Sequence, residues 1–174
     1  MTSRSLPALL MALSLSACAS SGHGTSQSGA SPSSAVARVG RPAPPWSEPS
    51  VPGGTLSLAS LRGKAVYLNI FASWCPPCNE EAPTLNALQE QYGSRGLQIV
   101  GVDVLENAHK AELFRSDHHL TYPAVVDDGT LRDQYNVNGL PVHVFIDRNG
   151  IVRDVVIGEL SASDMRADVL KLLR

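Results

Sequence analysis

The chain has 174 residues, 43% of them hydrophobic and 17% charged, with a formal net charge of -2. That length accommodates one ordinary domain plus attached segments. Acidic and basic residues are interspersed, which excludes the basic stripe needed to track a phosphate backbone, and with it nucleic acid as a partner.

Near the N-terminus, Arg4 precedes an apolar stretch from Leu6 to Leu15 interrupted by Pro7 and Ser14. This is the pattern of a secretory signal, and it is shorter than the ~20 apolar residues of a bilayer-spanning helix. The junction Leu15-Ser16-Ala17-Cys18 resembles the lipobox of bacterial lipoproteins. The resemblance implies a signal peptide over residues 1–17, a lipidated Cys18 and attachment to a membrane through that lipid. An ordinary signal peptide cleaved just beyond Ala17 or Ala19 is the alternative. Residues 18–38 then form a Ser/Gly/Ala-rich tether, too polar to offset the entropy of ordering it, and His23 within it reads as a solvated linker histidine.

The remaining 39–174 read as one domain. Prolines at 42, 44, 45, 49 and 52 dictate extended or turning backbone around Trp46, which is expected to cover a core edge. Gly53-Gly54 reads as a turn, Thr55 to Leu58 as a short strand, and Leu61 to Gly63 as a loop. Ala65 to Phe71 is nearly continuous apolar sequence, which predicts a central strand buried on both faces. Pro76 and Pro77 suit the first turn of a helix, and Ala82, Leu85 and Leu88 carry helical spacing as far as Tyr92, with Gly93 and Gly96 ending it. A second buried strand follows at Leu97 to Val102, a helix from Ala108 to about Asp117, a short strand at Tyr122 to Val126, and a short helical stretch at Leu131 to Tyr135. Asn149-Gly150 between the apolar runs Val142–Asp147 and Ile151–Ile157 predicts a hairpin. Ser161 with Asp164 reads as a capping box opening a last helix, with Met165, Val169, Leu172 and Leu173 on one face. Strands first alternate with helices and then form a hairpin, so the expected class is α/β, a mixed sheet with helices on both faces and a β extension at its N-terminal end.

The chain contains three cysteines. With Cys18 set apart, Cys75 and Cys78 remain, spaced Cys-x-x-Cys, which excludes a structural disulfide framework. A pair at the end of a buried strand and the start of a helix sits beside free N–H groups and the positive end of the helix dipole, which stabilises a thiolate at Cys75. Cys78, one turn on, is placed to attack the Cys75 sulfur and resolve a mixed disulfide. Pro76-Pro77 removes donors that would otherwise point at the thiolate. Two other chemistries fit a lone dithiol. A zinc site requires a second pair of ligands at suitable spacing; no second Cys-x-x-Cys exists, and His118 and His119, which follow in a helix-terminal segment, are expected with His109 to be solvated. Cu(I) suits two soft thiolates, although Met165 is the only methionine after the signal region and no histidine lies beside the cysteines.

Lys64 through Pro83, Lys-Ala-Val-Tyr-Leu-Asn-Ile-Phe-Ala-Ser-Trp-Cys-Pro-Pro-Cys-Asn-Glu-Glu-Ala-Pro, resembles the active-site segment of the TlpA/ResA branch of thioredoxin-like proteins, and the resemblance runs from about Pro42 to the end of the chain. It implies a thioredoxin-like fold and a thiol–disulfide oxidoreductase whose only redox group is the Cys75–Cys78 disulfide, with no metal and no other cofactor. It implies a cis Pro141 against that disulfide, with the adjoining Leu140 backbone offered to an extended substrate. Trp74 becomes a surface contact at the cysteines and Phe71 their packing. Asn69 stands where thioredoxin proper has a buried carboxylate and cannot shuttle protons. Glu81 matches the acidic residue that ResA-like proteins place near the site and is expected to serve as a proton acceptor or pKa modulator, an exposed helix glutamate being the alternative, while Glu80 reads as an exposed helix residue. Val142-His143 departs from the family, which commonly has small hydroxyl residues after the proline. His143 therefore faces either the sheet interior, as a satisfied strand histidine, or the substrate groove.

By the same resemblance the protein works in the cell envelope, its domain outside the cytoplasm. Its partners are disulfide-bearing envelope proteins, apocytochrome c being one candidate substrate, and a membrane electron donor. The alternative from the residues is a Cu(I) metallochaperone using the same cysteine pair; a peptide-binding module without turnover is a third reading, against which the intact dithiol argues.

Overall fold

In a computed structural model, which describes residues 36–174, the centre of the molecule is β3 (Ala65–Phe71), every residue of which is buried. The expected signal peptide over 1–17, Cys18 and nearly all of the 18–38 tether lie outside the described residues. Ala37 donates its backbone N–H to the Gln134 carbonyl at 2.8 Å.

The remaining elements are β1 (Ser47–Val51), β2 (Thr55–Ser57), α1 (Pro76–Tyr92), β4 (Leu97–Asp103), α2 (Ala108–Asp117), β5 (Ala124–Val126), α3 (Thr130–Gln134), β6 (Val142–Ile146), β7 (Val152–Ile157) and α4 (Ala162–Leu172). They build one seven-stranded sheet in the order β2-β1-β5-β4-β3-β6-β7. β3, β4 and β5 run parallel, while β6 is antiparallel to β3, β7 to β6, and β1 to both β5 and β2. The mixed sheet follows from the connections, since helical crossovers give parallel neighbours and the turn at Asn149-Gly150 gives an antiparallel one.

The alternation of side chains along β3 divides the core. Tyr67 and Phe71 join Ile99 and Phe145 under α1 and α4, meeting Leu85, Leu88, Met165 and Val169. Val66, Leu68 and Ile70 face the other way and pack with Val100, Val144, Leu131 of α3, and Trp46 and Leu61 of the N-terminal extension. Trp46 thus covers a core edge as expected.

Two elements differ from the expectation. Ser47–Val51, predicted as irregular, is β1. Its first half pairs with β2 and its second half with β5, so Pro49 sits only in the β2 register and its missing N–H interrupts no ladder on the other side. Leu58–Leu61, predicted as the end of a strand followed by loop, is a turn of 3-10 helix capped by the Ser57 hydroxyl. The strand expected from Tyr122 begins two residues later, after Pro123. Among the described residues, no helix is long and apolar enough to cross a membrane.

One glycine positions the site. At Gly101, on β4 opposite Asn69, an added Cβ would lie 3.0 Å from the Phe71 ring, which stacks on Phe114 at 4.3 Å beneath the cysteine loop.

Candidate active site

Cys75 is the N-cap of α1. Pro76 and Pro77 occupy the first helical positions and carry no N–H, so the first donor the helix offers is that of Cys78, which points at Cys75 Sγ at 3.4 Å. The two cysteines form a disulfide with Cα atoms 5.3 Å apart. Both are buried, yet only Cys75 borders an open groove, whose walls include Trp74, Pro76, Leu105, Arg132 and Leu140. Trp74 and Leu105 are each 62% exposed, and Leu105 holds a left-handed backbone (φ 64°) that few leucines adopt. Arg132 is the single charged residue of this lining. The Leu140–Pro141 bond is cis, and Leu140 packs against both halves of the core.

The loop before Cys75 is clamped from two sides. The Glu106 carboxylate accepts the Ser73 N–H at 2.5 Å and the Ser73 hydroxyl at 2.7 Å. From α1, the Asn79 amide donates to the carbonyls of Ser73 (3.0 Å) and Cys75 (2.7 Å). Its oxygen, which can only accept, takes the Nε2–H of His118 at 2.8 Å. His118 is therefore not the solvated residue its polarity suggested: it is half-buried, its ring packed 4.3 Å from Phe114. Ser73, Asn79 and Glu106 were not singled out by sequence reasoning, because each acts through a contact that only the folded chain creates. Behind Glu106, Asp103 is fully buried with neither carboxylate oxygen hydrogen-bonded, and burial together with the Glu106 charge pushes it up to about 8.

On the inner side of α1, Glu81 is 3% exposed and Glu80 is exposed. Glu81 shares the helix face of Cys78 by the three-residue spacing. Its Oε1 accepts the Leu160 N–H at 2.8 Å and lies 3.5 Å from His143 Nε2, whereas Oε2 is buried with no partner. Burial raises Glu81 from 4.5 to about 7; the Leu160 N–H opposes the shift and Glu159 adds to it. His143 is fully buried in the sheet, with Nδ1 2.8 Å from the Tyr67 hydroxyl and Nε2 3.1 Å from the Gly158 carbonyl. It is a satisfied strand histidine, facing the interior rather than the groove. Burial lowers it from 6.5 to about 4 and holds Tyr67 well above its usual range. Asn69, between Gly101 and His143 in the ladder, is buried with its amide nitrogen unpartnered.

One grouping of three ligand-type side chains occurs among the described residues, Glu48, Asp127 and Asp128, and it includes neither cysteine.

The sequence matches the AhpC/TSA family over residues 39–155. It is 31% identical over 136 residues to the thiol–disulfide oxidoreductase ResA of Bacillus cereus, covering 78% of this chain and 79% of that protein. It is 35% identical over 128 residues to ResA of Geobacillus kaustophilus, covering 73% and 74% of the two chains. Among solved structures, a thiol:disulfide interchange protein of the thioredoxin family from Chlorobium tepidum superimposes with a TM-score of 0.72 at 34% identity, covering 80% of this chain and all of that one.

Proposed function

The chain belongs to the AhpC/TSA family, within its ResA-like thiol–disulfide oxidoreductases, and from that membership we propose that it reduces exposed disulfides of envelope proteins through Cys75 and Cys78. The observation that carries the reading is the asymmetry of the pair: Cys75 caps α1 and borders the groove, whereas Cys78, buried in the same cluster, does not reach it.

In the reduced protein, the Cys75 thiolate, stabilised by the Cys78 N–H and the helix dipole, attacks one sulfur of a substrate disulfide. The substrate S–S bond breaks, a mixed disulfide forms, and the other substrate sulfur leaves as a thiolate that takes its proton from water. Cys78 then gives its proton to Glu81 and attacks Cys75 Sγ. The Cys75–Cys78 bond forms, the mixed disulfide breaks, the second substrate sulfur leaves as a thiolate protonated by water, and two electrons have passed to the substrate. The groove suits an extended segment with an apolar side chain beside its cysteine, laid along Leu140. Apocytochrome c is a candidate of that kind by family relation. The lipobox-like Leu15-Ser16-Ala17-Cys18 supports anchoring by a lipid at Cys18, with the domain outside the cytoplasm and a membrane protein returning electrons to the disulfide.

The test is the reduction potential of the Cys75–Cys78 pair, paired with trapping of substrates by Cys78→Ser. A value near that of thioredoxin, about -270 mV, with mixed disulfides accumulating on envelope proteins, supports a reductase; one near that of DsbA, about -120 mV, makes the protein a disulfide donor instead.

A further inference from the structure

We propose that His143 is a positioning residue for the exchange reaction: its Nε2–H edge, with the Leu160 N–H, holds Glu81 Oε1 and leaves Oε2 free to take the Cys78 proton. This rests on the reading of Glu81 as the proton acceptor and adds to it the group that makes a buried carboxylate usable.

The hydrogen-bond network assigns the imidazole tautomer. The Gly158 carbonyl can only accept, so Nε2 carries the hydrogen. The ring, driven neutral by burial, has a lone pair left at Nδ1, which accepts from the Tyr67 hydroxyl at 2.8 Å. Tyr67 on β3 therefore holds the ring from one side, and the single Nε2–H points into a fork between Gly158 O at 3.1 Å and Glu81 Oε1 at 3.5 Å. While Glu81 is protonated, the N–H bond belongs to Gly158, since 3.5 Å is at the limit of a hydrogen bond. When Glu81 ionises, a small ring tilt brings the donor to the carboxylate, which is the stronger acceptor. The contact is a neutral donor facing a carboxyl group, not an ion pair.

The need for such a donor follows from the surroundings. Glu81 is 3% exposed on α1, and the ionisable groups facing it or His143 are Tyr67 on β3, Tyr122 before β5, Glu159 before α4 and Asp168 on α4. None is a cation. The ionised carboxylate must therefore be supported by N–H dipoles alone, those of Leu160 and His143. A small hydroxyl side chain at position 143 would lack the reach of the imidazole ring to both the Gly158 carbonyl and Glu81 Oε1.

The experiment follows resolution of a mixed disulfide between Cys75 and a cysteine-containing peptide, by rapid quench across the neutral pH range, in the full-length protein and in Glu81→Gln, His143→Leu and His143→Gln. His143→Leu is expected to raise the midpoint of the pH–rate profile by about one unit, slowing resolution about tenfold below it, with the first attack by Cys75 unchanged. His143→Gln, which keeps an N–H donor, is expected to return the midpoint toward wild type. A Glu81→Gln profile identical to wild type would overturn the Glu81 reading and this proposal with it. A flattened Glu81→Gln profile beside an unshifted His143→Leu midpoint would overturn the role of His143 alone. Should His143→Leu fail to fold, the wild type decides: the 15N shift of His143 Nε2 must titrate together with the 13C shift of the Glu81 carboxyl, and a constant Nε2 shift overturns the proposal.

Discussion

Cys75 and Cys78 stand one helical turn apart in the same motif, both buried in the cluster under α1, and they differ in what lies on their other side. Cys75 borders a groove walled by exposed apolar side chains, with Arg132 as its one charge. Cys78 looks into the core beneath α1, toward a face that holds Tyr67, Phe145 and the buried Glu81. The wet side offers room for a partner and little chemistry beyond the thiolate itself. The dry side offers no room for a partner, but a carboxyl and an imidazole whose proton affinities have been driven apart from their ordinary order by burial. The contrast teaches that the spacing of the cysteines alone does not divide their labour; the two faces of the first turn of α1 do.

The largest expected effect is on the wet side. Cys75→Ser abolishes reduction of a model disulfide substrate, whereas Cys78→Ser still attacks and stops at the mixed disulfide, as read by gel shift of the trapped species. Full turnover by either variant breaks the division between the two sulfurs. On the dry side, Glu81→Gln slows resolution by ~10²-fold or more, the usual contribution of a positioned acid or base, while leaving the first attack intact; stopped-flow measurement separates the two steps.

The opposed shifts of Glu81 and His143 also leave a mark on stability. Between pH 4.5 and 7 the folded chain keeps a Glu81 proton that the unfolded chain has lost, so this group makes stability fall as pH rises. Between pH 4 and 6.5 the unfolded chain binds a proton that folded His143 refuses, so that group makes stability rise with pH. The two slopes oppose each other in wild type. Urea unfolding of Glu81→Gln is expected to show its stability gaining on wild type as pH rises through the first window, by about 3 kcal/mol in all. His143→Leu is expected to lose ground on wild type through the second. Parallel curves would show that the two groups are not perturbed by burial as the structure implies.

The smallest effect sharpens the comparison by lying on neither side. Glu106→Gln weakens the clamp on Ser73 and is expected to cost about 1.5 kcal/mol in stability, the scale of one charge-assisted hydrogen bond. It should leave the pH profile of the resolving step where it was, since Glu106 touches the loop and not Glu81.

Much of this architecture was legible in the sequence, and the reasons are local. β3 announced itself because a strand buried on both faces has no polar alternation to obscure it, and α4 because Ser161 and Asp164 cap it, the Ser161 hydroxyl accepting the Asp164 N–H. The cysteines were legible for a similar reason: a Cys-x-x-Cys at a strand-to-helix junction carries its chemistry in a few consecutive residues. β1 was hidden by Pro49 and the prolines flanking it, and the cost of Pro49 depends on which neighbour the strand pairs with, a fact no local pattern contains. His118 was misjudged because its polarity is local while its partner Asn79 is on another helix.

What the sequence by itself determined is therefore the central strand, the helices and the terminal hairpin, the thioredoxin-like class through the resemblance of its cysteine segment, and the pair of sulfurs at the head of α1. What only the tertiary structure decided is the state of the groups around those sulfurs. Glu81 and His143 are ordinary ionisable residues in the unfolded chain. They become a neutral pair because α1, β3, β6 and the turn before α4 close over them, removing the water that would have kept both near their usual proton affinities. Periodicity reports how a segment folds onto a core, but the free energy of a charge depends on every element that surrounds it, and those are brought together only by the completed fold.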